Sequence, residues 1–160
     1  MLLGAGARAE SEARVKAAYL FNFAKFVDWP ASAFSSAKAP MVIGIVGRDA
    51  VGDELVRACS GATAGGHPVE VRRIVAADAR ECHLVFIPES ERGDGVLATT
   101  QGSPVLVVGE GEGFTRRGGS LGFVKEGGAV KFEANPKAAA RNGLNVSAKL
   151  LRVARAVIDK

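Results

Sequence analysis

At 160 residues, 48% of them hydrophobic and 24% charged, the chain has the size and composition of one soluble globular domain, which excludes intrinsic disorder. No apolar run approaches the roughly 18 residues that crossing a bilayer requires. The net charge of +4 favours anionic surroundings, but the cations fall in separate groups (Arg72-Arg73, Arg116-Arg117, Lys149/Arg152/Arg155) without clustered aromatics, so they read as a solvated basic surface rather than a nucleic-acid site.

The chain opens on Leu2-Leu3-Gly4-Ala5-Gly6-Ala7-Arg8-Ala9, a short apolar stretch ending in the small-residue triplet 7–9 that a signal peptidase accepts. The basic start and long apolar core of a full export signal are missing. Residues 1–11 therefore read as a signal-peptide remnant or disordered leader, ahead of a domain over 12–160.

A helix is predicted over 12–29, where Val15, Tyr19, Phe23, Phe26 and Val27 recur near helical spacing and Leu20, Phe21 and Ala24 widen the stripe. Pro30 ends it, because the residue before a proline avoids the α region. So apolar a helix must pack against a sheet or a neighbouring chain. After a loop over 31–40, the run MVIGIV (41–46), bounded by Pro40 and Gly47, reads as a buried strand. A helix over 49–58, a glycine-rich loop over 61–68, a strand over 69–74 and a strand over 83–87 follow. A short helix over 91–101 and a strand over 104–108 come next. Strands separated by helical stretches predict parallel β-α-β units with right-handed crossovers, hence a Rossmann-like three-layer α/β sandwich around a mostly parallel sheet.

The last third changes character. Residues 121–125 and 129–134 flank Glu126-Gly127-Gly128, a hairpin signal, with Leu121 and Phe123 facing the same dry side as Val130 and Phe132. Asn135-Pro136 starts a helix and Gly143 stops it. A final helix is predicted over 145–158, with Leu144, Ala148, Leu151 and Ile158 as its core stripe, Leu150, Val153 and Val157 beside it, and Asn145, Lys149, Arg152 and Asp159 wet.

The residues of chemistry are sparse. Gly44-Ile45-Val46-Gly47 follows a strand, where nucleotide-binding folds place their phosphate loop, but the spacing is not GxGxxG and no GK[ST] follows. Gly109-Glu110-Gly111-Glu112-Gly113 carries two carboxylates, which repel phosphate. There is no GxSxG elbow. His67 sits in a loop, and His83 follows Cys82 directly, so on a strand those two side chains point to opposite faces and form no dyad. Two histidines and two cysteines lack the spacing of a tetrahedral metal site, and Glu89 and Glu91 read as a solvated strand end. No catalytic, cofactor or metal residue is assigned. Cys59 and Cys82 both fall at element ends; in an exported protein they are expected to form a disulfide, the alternative being two free, partly buried thiols.

VKAAYLFNFAKFVDWP (15–30), IGIVGRD (43–49), CHLVFIPESE (82–91), VLVVGEGEGF (105–114) and the tail over 118–155 together resemble the YfiR-like family (DUF4154), in family order from about residue 14 onward. The resemblance implies an α/β sandwich and a periplasmic, non-catalytic regulator. Such a protein restrains an inner-membrane diguanylate cyclase, or a related histidine kinase, through the periplasmic sensor domain. It is itself sequestered by an outer-membrane lipoprotein, works as a homodimer, and so couples the envelope to cyclic-di-GMP and biofilm. Members can carry two disulfides; two cysteines allow at most one. The partner surface is expected on loop 113–119, where Phe114 lies beside Arg116 and Arg117, together with Lys125 of the adjoining hairpin, because aromatics and arginines dominate binding hot spots. The alternative is a small-molecule-binding periplasmic sensor, with its cleft at the strand carboxyl ends near 47–52 and 109–113. An enzyme on the same frame is disfavoured by the missing nucleophile–base pair.

Overall fold

The computed structural model describes residues 5–159; residues 1–4 of the expected leader lie outside them. In chain order the elements are α1 (Ala5–Phe26), β1 (Val27–Asp28), β2 (Met41–Val46), α2 (Ala50–Cys59), β3 (Thr63–Ala64), β4 (His67–Ile74) and β5 (Leu84–Ile87). Then come α3 (Asp94–Thr100), β6 (Leu106–Glu110), β7 (Leu121–Glu126), β8 (Ala129–Ala134), α4 (Pro136–Arg141), β9 (Asn145–Val146), α5 (Ala148–Val153) and β10 (Ala156–Val157). Ten of these are strands, eight of which form one sheet in the order β10-β8-β7-β6-β5-β2-β4-β3. Its centre is parallel, with β2 between β4 and β5, and β6 carrying β5 to β7. The hairpin β7–β8 adds the antiparallel pair.

The central strands are apolar without alternation because both faces are covered. On one face Ile43, Ile45, Leu84, Phe86, Leu106 and Val108 pack against Leu20 and Phe23 of α1 and Val51 and Leu55 of α2. On the other, Val42, Val85, Ile87 and Val107 pack against Val96 of α3, Ala79 and Phe114. Helix, sheet, helix gives three layers, the predicted architecture.

This division of faces overturns the expected disulfide. Cys59 and Cys82 are free, buried thiols. Cys59 ends α2 in the first layer of core, whereas Cys82 lies in the second, its Sγ filling the space where a side chain on Gly44 of β2 would begin. The sheet stands between them, so the two thiols belong to opposite layers of core and are not bonded. Burial pushes both thiols up to about 11.

Element boundaries also move. The helix expected over 12–29 is α1, Ala5–Phe26, and Val27–Asp28 pair with β9 as β1 instead of ending the helix. The helix expected over 91–101 is only α3, Asp94–Thr100, and the strand expected over 104–108 is β6, Leu106–Glu110. The helix expected over 145–158 does not exist as one piece. Ser147 has extended backbone and its hydroxyl accepts from Leu150 N–H at 3.2 Å, so it caps a new helix, α5. Beyond α5 the chain straightens because β8 offers an open edge: Arg155 N–H donates to Phe132 O and Ile158 N–H to Ala134 O, at 2.8 and 2.7 Å. Val153 and Val157 end up exposed, while Val146 is buried instead.

Candidate partner-binding surface

The structure separates the four residues expected to form the partner surface. Phe114 is buried, 3% exposed, and cannot act as a surface anchor. A Cβ on Gly109 would lie 2.6 Å from its ring and one on Gly93 3.3 Å, and Gly119 and Gly122 also abut it. Gly93, Gly109, Gly119 and Gly122 leave the room that the ring occupies. Arg116 and Arg117 are exposed, Arg117 over the Phe114 ring at 5.7 Å. Lys125 lies further along β7, where it pairs with Glu12 of α1 at 2.7 Å and holds that carboxyl below its ordinary range. One expected patch is therefore two sites, joined by strand β7.

At the strand carboxyl ends, the position favoured for a ligand, the lining is carboxylate-rich. Glu91 occupies the space over Gly47 that a phosphate loop would need. Glu110 accepts from Glu89 N–H at 3.0 Å and pairs with Lys16 of α1. A cleft of about 300 Å³ remains there, lined by Lys16, Glu110, Phe123 and Lys125 among others. Glu89 and Glu91 line a neighbouring cleft with Arg117. Among the described residues no group of three or more His, Cys, Asp or Glu side chains is placed to hold a metal ion.

The surface that sequence spacing did not resolve lies on α1. Ala13, Ala17, Leu20, Phe23, Ala24 and Val27 are buried and follow helical spacing toward the sheet. Val15, Tyr19, Asn22 and Phe26 follow the same spacing one step round and form a second stripe, from which Val15 and Phe26 emerge 42% and 37% exposed. Tyr19 is half-buried, its ring against Phe23 and Phe132 and its hydroxyl donating to Val130 O at 3.3 Å. Across from this stripe α5 presents Leu150 and Val153, the latter 68% exposed. Together Tyr19, Asn22, Phe26, Phe132, Lys149, Leu150 and Val153 line an apolar groove of about 260 Å³. One cation lines it: Lys149 lies 6.0 Å from the Phe26 ring. No carboxylate lines it. Val15, Phe26 and Val153 are thus left largely in water along α1 and α5, beside Lys149. The sequence held the signal, in a helix with more apolar residues than one sheet face can cover.

A three-layer α/β domain, mostly parallel at its centre and closed by a hairpin, with an uncovered apolar stripe on its first helix, is the class of protein that these features define. The sequence profile of the YfiR/HmsC-like family matches residues 13–155, and the chain belongs to that family. No curated protein matches it. Among solved structures it is similar to a conserved domain protein from Vibrio cholerae O1 biovar eltor, at a TM-score of 0.52 and 14% identity over 74% of this chain. At that identity the likeness concerns the fold alone, and the chain spans 55% of that protein's length. No helix among the described residues is long and apolar enough to cross a membrane.

Proposed function

We propose that this chain is a periplasmic regulatory protein that binds and represses an inner-membrane diguanylate cyclase, or a related sensor kinase, and thereby limits cyclic-di-GMP signalling and biofilm formation. It acts by contact, through the α1–α5 groove, and not by turnover. The observation that carries this reading is the second stripe of α1, where Val15 and Phe26 stay in water on a helix whose other face is fully packed. Family membership supplies the regulatory setting. Lys149 at the edge of the groove favours as occupant an apolar side chain of the partner's periplasmic domain with a carboxylate beside it. A second copy of the chain and an outer-membrane lipoprotein are further partners in the same scheme.

The test is a photo-crosslinking residue placed at position 26 in cells, with position 75 as control, since Val75 is 64% exposed but remote from the groove. The expected result is an adduct at position 26, absent at 75, with a membrane protein that carries a cyclase or kinase domain. Adducts at both positions, or none at 26, argue against the groove. The small-molecule reading has one observation in its favour, the cleft of about 300 Å³ at the strand carboxyl ends, which has the volume of a small ligand site.

A further inference from the structure

The chain has two histidines, and they lie on opposite faces of one phenyl ring. Phe34 belongs to the 31–40 segment between β1 and β2, none of whose residues is buried. It stacks on His67 of β4 with centroids 3.7 Å apart and 7° between planes, and on His83 at 4.2 Å and 12°. Both imidazoles also grip the segment's backbone. His67 Nδ1–H donates to Ala39 O at 2.7 Å, and His83 Nε2–H donates to Ala33 O at 2.8 Å. On its other nitrogen His83 accepts from Val42 N–H of β2, at 3.0 Å. A ring nitrogen that accepts carries no proton, so this geometry requires neutral His83 with its hydrogen on Nε2. Trp29, at the head of the segment, donates its indole N–H to the backbone carbonyl of His83 at 3.0 Å.

We propose that His83 is an acid-sensitive latch for the segment from Trp29 to Pro40. Acidification adds a proton at Nδ1, the ring nitrogen that carries no hydrogen. That proton removes the acceptor for Val42 N–H, opposes two N–H groups, and puts a charge on a side chain that is 8% exposed. The charged ring leaves its site, and Phe34 and the segment leave with it.

The carboxylate on β4, Glu70, is the register partner of Val42 and is paired with Arg72. The charges that bear on His83 are His67, across Phe34, and Arg72 of β4, and both disfavour protonation. The segment itself carries one ionisable side chain, Lys38, and neither β2 nor β5 contributes any. Burial is the largest influence and holds His83 below the ordinary histidine value, partly offset by its bond to Ala33. The open segment therefore takes up the proton at higher pH than the closed one. Closure is at full strength above about pH 6.5 and is lost as the pH falls through the closed-state value. Trp29 follows Phe26 by three residues and β1 joins α1 to β9, so opening also loosens the frame of the α1 groove. That last consequence rests on the proposed function; the latch does not.

The test is an NMR titration of the whole chain from about pH 7.5 to 4.5, following both imidazoles and the indole N–H of Trp29, the single tryptophan. The expected record is the Nε2–H tautomer for His83 at neutral pH, protonation below the ordinary midpoint, and shifts of Trp29 and Phe34 resonances with that same midpoint. Amides of β5 and β6 should stay protected throughout. His83→Gln should abolish the Trp29 transition, and if that variant does not fold, the wild-type titration still decides. An Nδ1–H tautomer at neutral pH, His83 protonation with Trp29 unchanged, or a Trp29 transition that survives His83→Gln overturns the latch.

Discussion

Replacing Phe23 and Phe26 in turn by alanine separates the two stripes of α1 by their energetics. Phe23 is fully buried and contacts the rings of Tyr19, Phe123 and Phe132 at centroid distances of 6.0, 5.8 and 5.0 Å. Removing such a ring costs the lost transfer energy plus an unfilled cavity, about 3–5 kcal/mol. That is a large share of the roughly 5–15 kcal/mol that hold a domain together. Phe26 leaves 37% of its surface in water. Full burial of a phenyl group is worth about 1.5–3 kcal/mol, so the part that Phe26 buries is worth about 1–2 kcal/mol. Urea unfolding followed by far-UV circular dichroism should place Phe26→Ala about 1–2 kcal/mol below wild type and Phe23→Ala about 3–5 kcal/mol below it. Equal losses would mean that Phe26 is a core residue and that α1 has no spare face.

Gly119→Ala drives a methyl group into the Phe114 ring and should destabilise by about 1–3 kcal/mol in the same assay, with Phe114→Leu recovering part of the loss; an additive double variant would refute the contact. Arg155→Ala strands the buried carboxylate of Glu133, which pairs with Arg155 at 2.5 Å, and should lower the urea midpoint, an effect that Glu133→Gln in the same chain should reduce. Cys59 and Cys82, raised to about 11, should resist a thiol reagent at about pH 8 until the protein unfolds and should then both react. A native mass short by two hydrogens would show instead that they are bonded.

The parallel core was legible because MVIGIV and LVFI are unbroken apolar runs that only a strand covered on both faces can bury. The Asn135-Pro136 start of α4 was legible too: Asn135 accepts from Ala138 N–H at 3.0 Å, as an N-cap does. What spacing does not encode is which face a residue meets. Cys59 and Cys82 look compatible until the sheet is known to run between them. Phe114 looks exposed because it stands beside Arg116 and Arg117, and sequence neighbours do not show that its ring turns inward against Gly109 and Gly119. The stripe through Val15, Tyr19 and Phe26 shares its period with the stripe through Leu20 and Phe23, and only packing tells them apart. The straightening after α5 is set by the open edge of β8, distant in sequence, against local helical periodicity.

The most direct measurement is cyclic-di-GMP in the source organism after deletion of the gene and its replacement by wild type or by Phe26→Asp. Circular dichroism and urea unfolding would first establish that the variant folds. Deletion should raise the nucleotide, wild type should restore it, and Phe26→Asp should not. Unchanged nucleotide on deletion, or full restoration by Phe26→Asp, would contradict the account.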